Sequence, residues 1–243
     1  MARKDITGFR GWGARGALCA AVFLSAAWHP GDPSGLEILK NVEEASAKVN
    51  DYSATLEITA DIERLNVPPM KVRLFFKRPD KIHIDAEGFA LLPREGLVLN
   101  AGRLMNRYTV KGVARESSEG VTLYALTLIA KSERTRLRTV LVYVDPARWT
   151  VEKLVMSQPG ERMMSAAFRY AQVDGFWLPS ELVASFAIAP ADTSDPEPVE
   201  QVLPPRPSQK PRKGSVTVRY AGYSINTGLS DELFKDDPAR PPD

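Results

Sequence analysis

Residues 70–84 read Met-Lys-Val-Arg-Leu-Phe-Phe-Lys-Arg-Pro-Asp-Lys-Ile-His-Ile, and this stretch decides the fold. Up to the proline, the even positions are all apolar: Met70, Val72, Leu74 and Phe76. Most of the odd positions are basic: Lys71, Arg73 and Lys77. A period of two predicts a strand and not a helix. Pro79 cannot donate to a sheet ladder, so 78–80 marks a corner, after which Ile82 and Ile84 resume the alternation around His83.

Similar strand patterns recur along the chain. Further strands are predicted at 55–62, 103–110, 121–130, 138–144, 151–157, 162–171, 176–188 and 215–224. The turns that separate many of them are short, whereas parallel crossovers need a dozen or more residues. The sequence therefore predicts a mainly β (α+β) protein with an antiparallel sheet, in which residues 28–243 form a single domain.

A helix precedes the strands. Ser34 and Glu37 have the spacing of a capping box, and Pro33 helps to fix the entry of the chain. Apolar residues then recur along one face, at Ile38, Val42, Ala45 and Val49. We expect this amphipathic helix to end near residues 50–51 and to pack its stripe on the sheet.

The first 27 residues have the layout of a secretory leader. Four basic residues precede the apolar stretch 17–24, which is shorter than the ~20 residues that span a bilayer. The small residues at 25–27 predict cleavage after Ala27, with an uncleaved signal anchor as the alternative. Cys19 does not fit a lipidation site because Leu18 precedes it and most of the apolar stretch follows it. We expect export to the periplasm.

Charge and cysteine content limit the possible functions. The chain has 32 basic and 30 acidic residues; the leader holds four and one of these, which leaves 28 and 29. A nearly neutral mature chain without a basic cluster argues against a nucleic-acid surface. The single cysteine lies in the leader, so the predicted mature chain has no disulfide and no thiol chemistry.

A proline-rich segment interrupts the strands at about 190–214, where seven prolines occur with few aromatic residues. This composition predicts a disordered insertion. It is either a partner-docking loop or a tolerated surface insertion.

The residues suited to catalysis are few. His83 and Asp85 share the polar face of a strand, but no nucleophile motif accompanies them. We find no His or Cys cluster with metal-ligand spacing and no phosphate-binding glycine loop. The sequence therefore predicts a protein that is not an enzyme, with no cofactor and no metal.

Several strands carry apolar residues out of phase with their main stripe. They are Phe75, Tyr124, Leu126, Leu128, Leu141, Tyr143, Met163 and Trp177. These residues either belong to a core covered by the helix and loops, or line a cavity.

The order of several short motifs resembles the LolA-type lipoprotein carriers, often called outer-membrane lipoprotein-sorting proteins. After the leader and the helix that ends near Tyr52, these motifs are Phe-Lys-Arg-Pro at 76–79, Asn-Ala-Gly at 100–102 leading to Tyr108, Val-Asp-Pro at 144–146, Asp-Gly-Phe-Trp-Leu-Pro at 174–179, and Gly-Leu-Ser-Asp-Glu-Leu-Phe at 228–234. The resemblance implies a strongly curved antiparallel sheet that forms an unclosed β-barrel, with the N-terminal helix covering its mouth. The carriers have helical lid segments after the tyrosine. Here we expect cover only from the first helix and the 88–97 loop.

The resemblance also implies a function: a non-enzymatic periplasmic carrier of lipid or lipoprotein acyl chains, with an inner- or outer-membrane protein as a further partner. The candidate lipid cavity consists of Leu56, Ile58, Met70, Val72, Leu74, Phe76, Leu126, Leu128 and Phe168. Arg78 matches the arginine that helps to hold the lid of such carriers closed, and its alternative role is a surface ion pair. We expect a monomer that does not bind nucleic acid. The alternative function is an envelope-stress sensor on the same scaffold, which binds lipid and acts through a membrane partner.

Overall fold

The computed structural model describes residues 24–26, 32–63, 66–85, 97–118, 121–133, 135, 137–158, 162–188 and 212–235. The helices are α1 (Gly35–Ser46), α2 (Ala101–Arg107) and a 3₁₀ helix (Asp231–Phe234). The strands are β1 (Leu24–Ala26), β2 (Asp51–Ile62), β3 (Met70–Lys77), β4 (Lys81–Asp85), β5 (Tyr108–Ser118), β6 (Val121–Ala130), β7 (Thr139–Asp145), β8 (Thr150–Gln158), β9 (Arg162–Val173), β10 (Phe176–Ile188) and β11 (Arg212–Ile225).

All of these strands belong to one antiparallel sheet with the order β1-β5-β6-β7-β8-β9-β10-β11-β2-β3-β4. The sheet curves without closing, because β1 and β4 are its two edges in the described part of the chain. The predicted fold class is therefore confirmed. Cleavage after Ala27, which stays a prediction, would remove β1 and leave β5 as the edge.

The ribbon at 70–84 has the predicted orientation. Val72, Leu74 and Phe76 are buried, and Met70 is partly buried. The opposite face of the sheet is polar and carries a row of alternating charges across five neighbouring strands: Arg169, Glu181, Arg219, Glu57 and Lys71. Directly opposed unlike charges stabilise neighbouring strands. This row identifies the outer, solvent-facing side of the sheet.

The inner face carries two core clusters. The first is formed by β2, β3, β4, β9, β10 and β11 together with Leu97 and Val98. The second is formed by α1, Ala101 of α2 and strands β5 to β8. Leu99, Leu154 and Met156 pack against both clusters. The core is thus continuous but has a seam between its two halves.

Helix α1 begins as predicted. The Ser34 hydroxyl accepts a hydrogen bond from the Glu37 backbone nitrogen at 3.3 Å, and Glu37 Oε2 accepts one from the Ser34 nitrogen at 2.7 Å. The helix ends at Ser46, earlier than the predicted 50–51. Val49 is still buried, because the chain continues along the first core cluster after the helix has ended.

The structure corrects the prediction for residues 101–107. A turn at 101–102 followed by a strand from 103 was expected, but these residues form α2. The Asn100 side chain caps this helix by accepting a hydrogen bond from the Arg103 nitrogen at 2.8 Å. The apolar spacing of Ala101, Leu104, Met105 and Tyr108 fits a helical face. Cover for the sheet therefore comes from α1 and α2, whereas most of the 88–97 loop lies outside the described residues.

The other predicted strand boundaries lie within three residues of the observed ones, except that β2 begins at Asp51, four residues before the predicted 55, and β5 continues to Ser118, eight residues beyond the predicted 110. A further change concerns the proline-rich segment. β11 begins at Arg212, so residues 212–214 belong to a strand, and 189–211 lie outside the described residues. Most of the predicted leader also lies outside them. The 174–175 turn joins β9 to β10 with positive φ at both residues, as a tight hairpin requires. Neither described α-helix is long and apolar enough to cross a membrane.

Candidate functional site

An apolar cleft of about 450 Å³ lies between α1 and the open end of the curved sheet. Its volume is in the range typical of small-molecule sites. Both core clusters contribute side chains to it, including Val42, Val49, Tyr52, Phe76, Val151 and Leu178. The cleft therefore lies at the seam between the two halves of the core.

Two short helices border the cleft, and we call α1 and α2 together the lid. Glu43 on α1 forms an ion pair with Arg78 at the corner between β3 and β4. The second carboxylate oxygen of Glu43 accepts a hydrogen bond from the Gly102 nitrogen of α2 at 3.1 Å. Asn100, which caps α2, donates a side-chain hydrogen bond to the Pro79 carbonyl. The Lys-Arg-Pro corner thus connects the sheet to both helices of the lid.

Apolar contacts hold the lid as well. Ile38, Leu39 and Val42 of α1 are buried in the second cluster. Gly35 lies so close to β5 that an added Cβ would overlap Val110 and would be 2.8 Å from Val113. The lid is therefore packed on the sheet in the conformation described here.

Aromatic and basic side chains of the 148–149 turn and the β9–β10 hairpin form a rim of the cleft. Trp177, which is 43% exposed, lies under the guanidinium of Arg148 at 5.1 Å from the ring centroid. Arg148 also pairs with Asp145 at 2.7 Å and with Glu152 at 3.3 Å. Trp149 stacks on Tyr124 and has a φ of 54°, which is unusual for a bulky residue. Neighbouring contacts therefore fix a strained aromatic residue at the cleft wall.

Buried and partly buried tyrosines pack in and beside the floor of the cleft, and Tyr170 is one of its lining residues. Three of them donate hydrogen bonds to backbone carbonyls: Tyr170 to Val151 at 2.9 Å, Tyr220 to Leu97 at 2.9 Å and Tyr223 to Pro179 at 2.6 Å. Burial raises the pKa of each of these hydroxyls above its ordinary value. These groups stay neutral at physiological pH, so the floor is uncharged.

The connection between α1 and β2 is held by the C-terminal part of the chain. The Asn226 side chain accepts a hydrogen bond from the Asn50 nitrogen at 2.7 Å and donates one to the Lys48 carbonyl at 3.0 Å. The buried Asp51 carboxylate accepts hydrogen bonds from the backbone nitrogens of Thr227 and Gly228, at 2.9 and 3.1 Å. The segment that follows β11 therefore fixes the point at which the lid joins the sheet.

A second cleft of about 650 Å³ crosses the opposite ends of β2 and of β8 to β11. Glu63 and Lys213, which line it, adjoin ranges outside the described residues. We therefore place the candidate site at the first cleft.

Only part of the predicted lipid cavity lines that cleft. Phe76 lies on its floor and Arg78 on its wall. Six of the predicted residues belong to the first core cluster: Leu56, Ile58, Val72, Leu74, Phe76 and Phe168. Leu126 and Leu128 lie in the second cluster, and Met70 is partly buried at the start of β3. The assignment of these residues to a lipid cavity stays a prediction.

Sequence reasoning missed several cleft residues. It missed Tyr52, Arg148, Trp149 and the residues of α2, because these come from parts of the chain that are far apart in sequence. The sequence did give an indication for Trp177, because this apolar residue lies out of phase with the main apolar stripe of its strand. Tyr124, Leu126 and Leu128, also flagged in this way, are core residues of the second cluster.

His83 shares a strand face with Asp85 but forms no hydrogen bond or ion pair with it. Its ring packs beside Phe75 at 5.9 Å, and its buried Nδ1 has no hydrogen-bond partner in the described ranges. No group of three potential metal ligands occurs among the described His, Cys, Asp and Glu residues.

Comparisons with known proteins place this geometry in a structural context. No protein-family model and no curated protein sequence matches the chain. A solved structure described as an outer membrane lipoprotein-sorting protein domain from Vibrio parahaemolyticus aligns with a TM-score of 0.57 at 14% identity, over 83% of this chain and 96% of that one. A DUF1329 family protein from Desulfovibrio piger aligns with a TM-score of 0.54 at 12% identity, over 82% and 95%.

At this level of identity, structural likeness speaks to the fold alone. A LolA superfamily protein from Nitrosomonas europaea is also similar, at 10% identity and a TM-score of 0.48, over 81% of this chain and 96% of that one. The curved, unclosed sheet with its helical lid has the fold of the lipoprotein-sorting domain from Vibrio parahaemolyticus, as the resemblance to the LolA-type carriers implied.

Proposed function

We propose that this protein is a non-enzymatic periplasmic carrier that binds the acyl chains of a lipid or lipoprotein and takes part in outer-membrane lipoprotein sorting. The observation that carries this proposal is the apolar cleft at the seam of the core, next to a lid held by a polar latch. We define the latch as Arg78, Glu43 and the Gly102 nitrogen. The LolA-like fold supports the same function.

The cleft suits an acyl chain because its floor is apolar and uncharged. Burial of a methylene group is worth ~0.8 kcal/mol, so a chain of ~15 methylenes gives ~12 kcal/mol before costs. Association costs ~4–15 kcal/mol. One chain alone would bind weakly, so stable binding requires two or three chains and more space than the cleft provides with the lid packed down.

In the proposed mechanism, that space opens at the seam. The two core clusters meet through partly buried side chains, including Met156, and methionine adapts readily to new neighbours. Movement of α1 away from β5 would expose Ile38, Leu39 and Val42, which would then contact the ligand. Loading would thus exchange the apolar contacts of the lid for contacts with acyl chains.

The latch gives this exchange a control point. Arg78 and Glu43 are each about one-quarter exposed, so the ion pair is partly shielded from water. A partner that competes for either side chain would weaken the closed state. In this mechanism, a membrane protein releases the cargo by binding near the β3–β4 corner.

The test is the lipid content of the folded protein. We expect native mass spectrometry of protein purified from the periplasm to show bound acylated molecules, and deletion of its gene to disturb lipoprotein localisation. Protein without lipid, together with normal lipoprotein sorting after deletion, would contradict the proposal.

A further inference from the structure

Tyr52 differs from Tyr170, which also lines the cleft, and from the neighbouring Tyr220 and Tyr223. It lies on β2 opposite Phe76, with the ring centroids 5.1 Å apart, and packs against Tyr223 at 5.5 Å. It lines the cleft although only 4% of its surface is exposed. Tyr52 is therefore held rigidly, with its ring enclosed by aromatic neighbours.

The hydroxyl of Tyr52 makes no hydrogen bond with any described residue, whereas those of Tyr170, Tyr220 and Tyr223 each donate to a carbonyl. About 4% of the surface of Tyr52 is exposed, and the residue lines the cleft, so its hydroxyl is a candidate donor to a molecule bound there.

A buried hydroxyl without a partner costs stability, because it has lost its hydrogen bonds to water. Burial also raises the pKa of Tyr52 well above its ordinary value, so the group is a neutral donor at every physiological pH. A neutral donor on an apolar floor is complementary to an acceptor that enters with an apolar ligand.

The charged groups around the cleft favour an uncharged acceptor. Arg78 is paired with Glu43, and Arg148 is paired with Asp145 and Glu152. Lys48 and Glu44 are exposed on the wall and carry opposite charges. Among the described lining residues, the cation outside an ion pair is the exposed Lys48, so a carboxylate or phosphate buried beside Tyr52 would have no buried counter-charge there, and a charged headgroup has to stay in water.

We propose that the Tyr52 hydroxyl donates a hydrogen bond to the carbonyl oxygen of the ester or amide that joins an acyl chain to its carrier molecule. This inference rests on the proposed function and narrows the ligand to acylated molecules, as opposed to free fatty acids or ether lipids. The carbonyl would lie at the tyrosine floor, the acyl chain would extend along the seam, and the headgroup would face the rim.

The test compares three ligands that differ only in the linkage. They are 1,2-dipalmitoylglycerol, its diamide analogue N,N′-dipalmitoyl-2,3-diamino-1-propanol, and the diether 1,2-di-O-hexadecylglycerol, each with the two chains that stable binding requires. We expect the wild-type protein to bind at least one carbonyl ligand about three- to tenfold more tightly than the ether, which is the range for one neutral hydrogen bond. A preference for the amide would indicate an N-acylated ligand, and a preference for the ester would indicate a glycerolipid; both support the inference.

The decisive variant is Tyr52→Phe, which removes only the hydroxyl. We expect it to bind all three ligands with the affinity that the wild type has for the ether. Tyr223→Phe is the matched control, because its hydroxyl is already bonded to the Pro179 carbonyl, and it should keep the preference for a carbonyl.

Stability provides a second readout. The free energy of unfolding should be unchanged or higher in Tyr52→Phe and lower in Tyr223→Phe, because only the latter loses a hydrogen bond. Equal wild-type affinities for ether and carbonyl ligands, or a preference that survives in Tyr52→Phe, would overturn the inference while leaving the carrier function intact. Failure of all three ligands to bind would contradict the carrier function itself.

Discussion

Arg78 of the β3–β4 corner and Glu43 of α1 form the ion pair that connects the sheet to the lid. Each side chain is about one-quarter exposed, and Glu43 also accepts the hydrogen bond from α2. The Glu43 carboxylate of α1 therefore contacts both the β3–β4 corner and α2. This arrangement makes the latch suitable for mutational tests.

Replacement of Arg78 by alanine should release the lid. Because a charged hydrogen bond contributes about 1.5–3 kcal/mol, we expect the free energy of unfolding to fall by about that amount. A double-mutant cycle with Glu43→Gln should give a coupling energy of about 1 kcal/mol or more. Amide hydrogen exchange in α1 should become faster, and a fluorescent fatty-acyl probe should enter and leave more quickly.

The control for the latch is Lys71→Ala. Lys71 pairs with Glu57 at 3.0 Å on the outer face, where both side chains are more than half exposed. Exposed pairs contribute ~0–1 kcal/mol, so this variant should leave hydrogen exchange in α1 unchanged. Equal effects of the two variants would show that Arg78 has no special role in holding the lid.

Gly35→Ala should push the lid away from β5. Alanine favours a helix by about 1 kcal/mol relative to glycine, but its Cβ would overlap Val110. We expect a net destabilisation of about 1–3 kcal/mol, as in an overpacked core, measured by chemical denaturation. Lys40→Ala, at an exposed position of the same helix, should be nearly neutral. A stabilised Gly35→Ala variant would mean that α1 is not packed as described.

The ion pairs that join the 3₁₀ helix to Lys77 and Lys81 should be lost in acid. Hydrogen bonds from Lys77 and Lys81 lower the pKa of Asp231 to about 2 from an ordinary value of 3.8. A carboxylate with a depressed pKa stabilises the folded state above its ordinary pKa, and this contribution is lost as the pH falls from about 4 to about 2. Asp231→Asn should remove this part of the acid dependence, as followed by chemical shifts of residues 229–235. An unchanged acid profile would contradict the assignment.

Replacement of residues 189–211 by a short turn should leave the fold intact. The β10–β11 ladder ends with Ile188 opposite Arg212, so the two ends of this segment are adjacent in space. We expect unchanged thermal stability and unchanged acyl-probe binding. Loss of capture of a membrane protein partner, with lipid binding retained, would favour the envelope-stress sensor over the carrier.

Much of the fold could be predicted because alternation identifies strands and short turns identify antiparallel neighbours. The ribbon at 70–84 and the Ser34 cap are local patterns, and the structure contains both. α2 was missed because its seven residues are also compatible with a strand, and the contacts that decide between the two come from Glu43, far away in sequence.

The candidate site was less predictable. Alternation shows which side chains face inward, but it does not show which of them the lid leaves accessible. Leu56 and Leu128 both face inward and are fully buried, whereas Phe76 meets the cleft. The cleft depends on how α1, the 148–151 turn and the 175–179 hairpin approach one another. This approach is a property of tertiary packing and not of any single segment.

The hydrogen bonds of Asn226 have a mechanical consequence for the proposed opening. They hold the backbone at Lys48 and Asn50, on both sides of residue 49, where the lid joins the sheet. If α1 opens, that joint acts as a fulcrum, and the helix moves as a lever whose free end is Gly35. The largest displacement would then occur where α1 meets β5, and loss of the C-terminal segment would leave the lid without a fixed axis of rotation.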